Sequence, residues 1–196
     1  MRYLAHSARP NRGIPEQGYR DHIENVVGDA VGNADRAAAY SAKFVDLLRA
    51  TVRLAAEFHD LGKLDETNQE VLRTNRGQRL KLNHVDAGVA HLLRDVPRGS
   101  ELLAAVSVFS HHIGLPAWAF ERTRGAGRIL RDTELAMGGV ALNDLTNQRL
   151  DVYRKRHGES VHALPPISTS EAKLAVDPLL WRLALSCLVS RGCGSL

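Results

Sequence analysis

The stretch Phe58-His59-Asp60-Leu61-Gly62-Lys63 guides the interpretation of the whole chain. A histidine and a carboxylate stand side by side at the end of an apolar segment with helical spacing. Gly62 allows a sharp exit from that helix, and Lys63 adds a cation one short step later. The ordinary alternative is a capped helix end with an unexceptional imidazole. The six residues together favour a polar site at a helix terminus.

Isolated histidines lie on both sides of this stretch. His22 comes before it, and His84 and then the pair His111-His112 follow. Imidazole nitrogen is a good ligand for manganese, iron, nickel, cobalt and zinc, and a carboxylate can bridge two such ions about 3.5–4 Å apart. The set therefore predicts a site for two divalent metals and, with it, a hydrolase.

The other histidines carry less weight. His91 competes with His84, but helical phase favours His84, which shares a face with Gly88. Four histidines are expected on the surface or in loops: His6, His91, His157 and His162. A single histidine on an apolar helix, as at His22 or His84, is more often a hydrogen-bonded core residue, so the prediction depends on the whole set.

Length and composition favour a single helical domain. The chain has 196 residues, of which 44% are hydrophobic and only 5% aromatic. Such a length suits one core, and the abundance of alanine, leucine and arginine predicts an all-α fold. We expect this domain to span 1–189, followed by an irregular tail at 190–196. Two cysteines exclude a disulfide framework and a cysteine-type zinc site.

Apolar periodicity places the helices. Two helices are predicted between Asp21 and Phe58, with a break from Gly28 to Asn33. Further helices are expected over 66–73, from His84 onward, from a Ser100 cap to the histidine pair, and near 140–156. A last helix should begin at Asp177-Pro178, with its apolar face formed by Leu180, Leu183, Ala184, Cys187 and Leu188.

No apolar run is long enough for a signal peptide or a membrane span, so we expect a soluble cytoplasmic protein.

The net charge of +4 is unevenly distributed. Two basic clusters flank the candidate ligands, the first before His84 and the second after the double histidine: Arg73, Arg76, Arg79 and Lys81, then Arg122, Arg124, Arg128 and Arg131. Both clusters are predicted to bind the phosphates of a polyanionic substrate, the first along its full length and the second chiefly through Arg122 and Arg124. The alternative is a solvated arginine-rich surface, since no aromatic residues alternate with the charges.

Taken together, these residues resemble the HD superfamily of metal-dependent phosphohydrolases. The stretch at 58–63 is typical of the superfamily as a whole. Within it, Phe109-Ser110-His111-His112-Ile113-Gly114-Leu115-Pro116 and the segment 181–189 resemble the HD nuclease domain of the helicase-nuclease of type I CRISPR systems. The resemblance extends from His22 to Leu188.

The resemblance implies an all-α HD-domain bundle that binds two divalent transition-metal ions, with manganese, nickel, cobalt or iron preferred and magnesium possible. His22, His59 and Asp60 would bind the first ion. Asp60 would bridge to the second, which His84, His111 and His112 would bind. Asp60 and Lys63 would be the catalytic residues, with Lys63 neutralising phosphate charge.

The implied activity is cleavage of single-stranded DNA in antiviral defence, in the cytoplasm of a prokaryote. The partners would be a guide-RNA surveillance complex and a helicase, either on a separate chain or in a further C-terminal part. One feature departs from the family. Its motif closes with an aspartate after the segment matching Ser186-Cys187-Leu188-Val189, whereas this chain continues Ser190-Arg191-Gly192-Cys193. The departure predicts a weakened first site.

Two other functions are compatible with the same residues. An HD phosphohydrolase of free or cyclic nucleotides would use the same ligands but would need an enclosed pocket to hold a base. A metal-poor HD-fold module would only dock onto a helicase or a CRISPR complex, which the missing aspartate would explain.

Overall fold

The computed structural model describes residues 2–40, 44–74, 79–95, 99–125, 127–161 and 178–189. The α-helices of this part of the chain are α1 Tyr19–Ala38, α2 Val45–Phe58, α3 Glu66–Thr74, α4 Val85–Leu92, α5 Gly99–Ser110, α6 Trp118–Glu121, α7 Leu142–Ser160 and α8 Pro178–Val189. A short antiparallel sheet precedes them and consists of β1 Leu4–His6 and β2 Gln17–Gly18. The predicted all-α class is confirmed, and the small sheet is an addition to it.

Helix α2 lies at the centre of the fold, with α1, α4, α5 and α8 packed against it. Its Ala55 and Ala56 are fully buried, and such small side chains allow neighbouring helices to approach closely. Gly88 of α4 lies directly against the end of α2, since a Cβ atom there would lie 2.2 Å from the carbonyl oxygen of Phe58. Packing therefore fixes the C-terminal end of α2, from which His59 and Asp60 follow.

The predicted break between Gly28 and Asn33 is wrong, because α1 is continuous from Tyr19 to Ala38. Gly28 is exposed, whereas the inner face of the helix is buried at Ile23, Val26, Val27, Ala30 and Ala34. Packing of this face outweighs the low helix propensity of glycine.

The other predicted helices agree more closely with the structure. The helices at 66–73, from His84 and near 140–156 are confirmed as α3, α4 and α7. Ser100 is the second residue of α5 instead of its cap.

Helix α8 confirms the last predicted helix and most of its apolar face. Leu180, Ala184, Cys187 and Leu188 are buried, whereas Leu183 is 36% exposed. Trp181 of α8 packs edge to face on Trp118 of α6, with 5.0 Å between ring centroids. Asp177 and the tail at 190–196 lie outside the described residues.

None of the described helices combines the length and the apolar composition needed to cross a membrane.

Helix α7 holds the segment that follows α2. The hydroxyl of Tyr153 donates a hydrogen bond to Oδ2 of Asp65 at 2.6 Å, and Arg149 reaches the same oxygen at 2.8 Å. Burial raises the pKa of Asp65, but the hydrogen bonds from Tyr153 and Arg149 lead to a pKa below its usual value. Arg156 of α7 also donates to the carbonyl oxygen of Leu64 at 2.6 Å. These bonds attach the polar segment at 61–65 to a long helix.

Candidate metal centre

The turn after α2 places two predicted ligands in the protein interior. His59 and Asp60 follow the helix directly, and a 3-10 turn, Leu61–Leu64, leads from them to α3. His59 and Asp60 are each 1% exposed, and Lys63 of the same turn is 7% exposed. Charged groups at this depth require close partners. The arrangement is therefore that of a polar site and not of a solvated helix end.

Backbone contact brings the start of α4 against this turn. The N–H of Gly62 donates to the carbonyl oxygen of His84 at 3.2 Å, and a Cβ atom on Gly62 would lie only 2.5 Å from that oxygen. Glycine is thus required by the close approach of two backbone segments. Since Gly62 and Asp60 share one turn, the contact also brings His84 to the carboxylate.

Asn68 of α3 fixes the same junction, although nothing in the sequence pattern indicated it. Its Nδ2 donates to the carbonyl oxygens of Gly62 and Leu82, at 3.1 and 3.0 Å, and its Oδ1 accepts from the N–H of Leu82 at 3.0 Å. Asn68 is fully buried. The side chain therefore attaches the segment before His84 to the turn that carries Lys63.

Three predicted ligand atoms form a tight triangle, here called the first group. Nε2 of His22 lies 2.9 Å from Oδ2 of Asp60, and Nε2 of His59 lies 3.2 Å from the same oxygen. The two Nε2 atoms are 3.1 Å apart. Ligand bonds of about 2.1 Å at right angles give separations of about 3.0 Å. The triangle has the dimensions of three adjacent ligands on one ion.

The Nδ1 atoms of these histidines have hydrogen-bond partners outside the triangle. Nδ1 of His59 donates to the carbonyl oxygen of Ala56 at 2.8 Å, and Nδ1 of His22 lies 3.2 Å from Oε1 of Gln17. In the neutral tautomer that donates from Nδ1, each Nε2 presents a lone pair. Two lone pairs that face each other at 3.1 Å beside a carboxylate repel, and a shared cation removes this repulsion. The donor set therefore fits a divalent ion.

The second group lies on the other side of the carboxylate. His84, His111 and His112 have ligand atoms within 4.8 Å of one another. Nε2 of His84 lies 3.2 Å from Oδ1 of Asp60 and 3.2 Å from Nε2 of His112. Nδ1 of His111 donates to the carbonyl oxygen of Val108 at 2.6 Å, and its Nε2 is buried without a hydrogen-bond partner among the described residues. Asp60 thus presents one oxygen to each group.

Electrostatics favour an ionised carboxylate at Asp60 and neutral imidazoles at His84 and His111. Burial raises the pKa of Asp60, but the nearby His59 and Lys63 outweigh burial and hold the pKa well below its usual value. Nζ of Lys63 lies 2.7 Å from Oδ2 of Asp60. Burial lowers the pKa of His84 and brings that of His111 to about 3. An ionised carboxylate and neutral imidazoles are the forms that coordinate metals.

Three histidines expected on the surface or in loops are partly or fully buried: His6, His91 and His157. His6, on β1, has ligand atoms within 4.8 Å of those of His22 and Asp60, so it is a further member of the cluster. Burial, followed by the charge on Lys63, lowers its pKa to about 4. His157 is buried on α7, where Nδ1 lies 3.1 Å from the hydroxyl of Tyr19. The expectation for these three was wrong: His6 stands in a strand too short for a pattern, and helical spacing alone did not reveal the burial of His91 and His157. His162 lies outside the described residues.

Several basic residues predicted to bind substrate are in ion pairs within the protein. Arg73 pairs with Glu66 at 2.9 Å, and Lys81 pairs with Glu70 at 3.4 Å. Arg124 approaches Glu121 at 3.3 Å. Arg79 and Arg122 are exposed, and Arg76 lies outside the described residues. The first two pairs are at the surface, where an anionic strand can compete for the cation.

Arg131 has a structural role and cannot belong to a substrate-binding cluster. Its Nε and Nη2 bind Oδ1 and Oδ2 of Asp86 at 2.7 and 2.8 Å. The two side chains are 7% and 0% exposed. The N–H of Asp132 also donates to Oδ1 of Asp86 at 2.9 Å. This bidentate pair attaches the segment before α7 to α4.

Comparison of the chain with protein-family models, with curated proteins and with solved structures gives no match. The geometry of the two groups around Asp60 is therefore the basis on which a function is assigned.

Proposed function

We propose that the protein is a metal-dependent phosphodiesterase that cleaves single-stranded DNA. The observation that carries the proposal is the position of Asp60, which presents Oδ2 to His22 and His59 and Oδ1 to His84. A carboxylate shared in this way between two sets of imidazoles is suited to bind a pair of divalent ions.

The chain's own residues define what each part of the site would do. His22 and His59 would bind one ion with Oδ2 of Asp60, and the second group would bind the other with Oδ1. A bound pair of ions supplies activation of water and stabilisation of negative charge on a phosphoryl group. Lys63, 2.7 Å from Oδ2, is placed to balance the negative charge of Asp60 and of a phosphate beside it.

The exposure of the ligands supports a long substrate. His22 and His59 are buried, His111 is partly buried, and His112 is exposed. Ile113 beside it is 70% exposed. The site therefore opens at the C-terminal end of α5, where a strand can lie across the surface and present one phosphate. A free nucleotide would instead need walls that enclose its base.

The resemblance to CRISPR nucleases leads us to single-stranded DNA as the substrate, in the cytoplasm of a prokaryote. A guide-RNA surveillance complex would expose the strand, and a helicase would feed it to the site. Contacts through phosphates alone predict weak sequence preference and a rate that falls steeply with salt.

A cleavage assay tests the proposal. Single-stranded DNA, duplex DNA and mononucleotides are each incubated with manganese, nickel, cobalt or magnesium. We expect metal-dependent cleavage of the single strand and a loss of more than about a hundredfold in Asp60→Asn and His59→Ala. His91→Ala is the matched control, since His91 is a partly buried histidine that packs on Phe58, with ring centroids 4.1 Å apart.

Other outcomes identify the alternatives. Cleavage of mononucleotides but not of strands would indicate a nucleotide phosphohydrolase. A protein that binds no metal and cleaves nothing in any of the four ions would be a docking module.

A further inference from the structure

The strand that carries His6 is firmly attached to the rest of the site. Gln69 of α3 accepts from the N–H of Leu4 at 3.0 Å and donates to its carbonyl oxygen at 2.8 Å. The same Nε2 donates to the carbonyl oxygen of Lys63 at 2.7 Å. Gln69 is fully buried. One amide thus holds β1 against the turn that follows Asp60.

The partner strand β2 contacts both His6 and His22. His6 pairs with Gln17 in the β1–β2 register, and Oε1 of Gln17 lies 3.2 Å from Nδ1 of His22. The rings of His6 and His22 meet edge to face, with 4.8 Å between centroids. The two-stranded sheet therefore places one imidazole beside the first group and fixes the orientation of another.

The distances suit a shared ion. The ligand atoms of His6, His22 and Asp60 all lie within 4.8 Å of one another. Ligand bonds of about 2.1 Å give separations of about 3.0 Å between adjacent ligands and about 4.2 Å between opposite ones. The observed separations are therefore close to the range that the ligands of one ion span.

We infer that His6 is a further ligand of the ion bound by His22, His59 and Asp60. The inference rests on the proposed metal site and deepens it, because it makes the first site a set of three imidazoles and one carboxylate. Imidazole-rich sites prefer cobalt, nickel, zinc or iron to magnesium, which prefers oxygen ligands. The first site is thus assigned a borderline transition metal, with selectivity against magnesium.

Metal binding, independent of cleavage, tests this assignment. The full chain is titrated with cobalt by calorimetry, with stoichiometry from elemental analysis and ligand type from the cobalt absorption spectrum. His6→Ala should weaken binding of one ion by at least about tenfold, leave the other unchanged and alter the cobalt spectrum. His91→Ala, the matched histidine outside the cluster, should retain the wild-type isotherm and spectrum.

The outcomes separate this inference from the proposed function. Wild-type protein that binds no cobalt would overturn both. Two ions in the wild type with an unchanged isotherm and spectrum in His6→Ala would overturn the role of His6 alone. His6→Gln keeps a side chain of similar size that can form hydrogen bonds. It serves as the test variant if His6→Ala does not fold. Weak binding in His6→Gln supports ligation, whereas full recovery of affinity would show that His6 only fills space.

Discussion

Gly62 shows how strongly one residue can control the site. Its N–H bonds to the carbonyl oxygen of His84, and a methyl group there would meet that oxygen at 2.5 Å. Gly62→Ala should therefore displace His84 from Asp60 and cost about 1–3 kcal/mol of stability, as expected for overpacking. We expect the affinity of the second group for cobalt to fall, as measured by calorimetry, together with a lower midpoint in urea.

Gly28→Ala is the matched control for this substitution. Gly28 lies within α1, and a methyl group there would meet nothing within 4 Å. The change should leave metal binding intact and raise the free energy of unfolding by about 0.5–1 kcal/mol. Equal losses of metal affinity in both variants would refute the proposed role of the Gly62 contact.

At the scale of elements, the pair between Asp86 and Arg131 attaches the segment before α7 to α4. Removal of one member leaves a buried charge without compensation, which typically costs about 3–5 kcal/mol. We predict a loss of this size for Arg131→Ala, measured by urea unfolding. Arg128→Ala removes an exposed arginine from the same segment and should change stability by less than about 0.5 kcal/mol. A similar loss in both variants would contradict the assignment.

The helices were predictable because most of them carry a regular apolar stripe. The predicted break within α1 was the exception, because Gly28 was interpreted as the end of a helix. Burial of the opposite face keeps the helix continuous. The β1–β2 sheet was missed because two strands of three and two residues are too short for an alternating pattern. Tertiary contacts, such as those of Gln69, hold these strands, and such contacts leave no periodic signal.

The candidate site was predictable where the chemistry of a residue conflicts with its sequence context. Histidines beside an apolar helix, as at His111 and His112, are costly to bury alone, so they point to a shared partner. His6 has no such context, because it stands at the end of a strand of only three residues. One member of the second basic cluster, Arg131, has a different role. Charge along a sequence does not reveal the partner, and Arg131 proved to bind Asp86 inside the protein.

At the scale of the whole molecule, the proposed metal ligands come from elements far apart in the sequence. His22 lies on α1, Asp60 follows α2, His84 precedes α4, and the double histidine follows α5. An ion that binds only this folded arrangement stabilises it by about 2.7 kcal/mol at a concentration one hundred times its dissociation constant. Cobalt or manganese should therefore raise the melting temperature, and a chelator should reverse the rise.

Asp60→Asn is the control for this effect, because it removes the charge shared by both groups. Its melting temperature should respond little to either metal, as followed by circular dichroism. An identical rise in this variant would mean that the ions bind elsewhere.

The edge-to-face packing of Trp118 on Trp181 has an optical consequence. These are the only two tryptophans in the chain, and they join α6 to α8. Indole rings at this separation couple their electronic transitions, so near-ultraviolet dichroism and intrinsic fluorescence report directly on whether the last helix is docked. The two tryptophans thus allow the docking of α8 to be followed by spectroscopy without an attached dye.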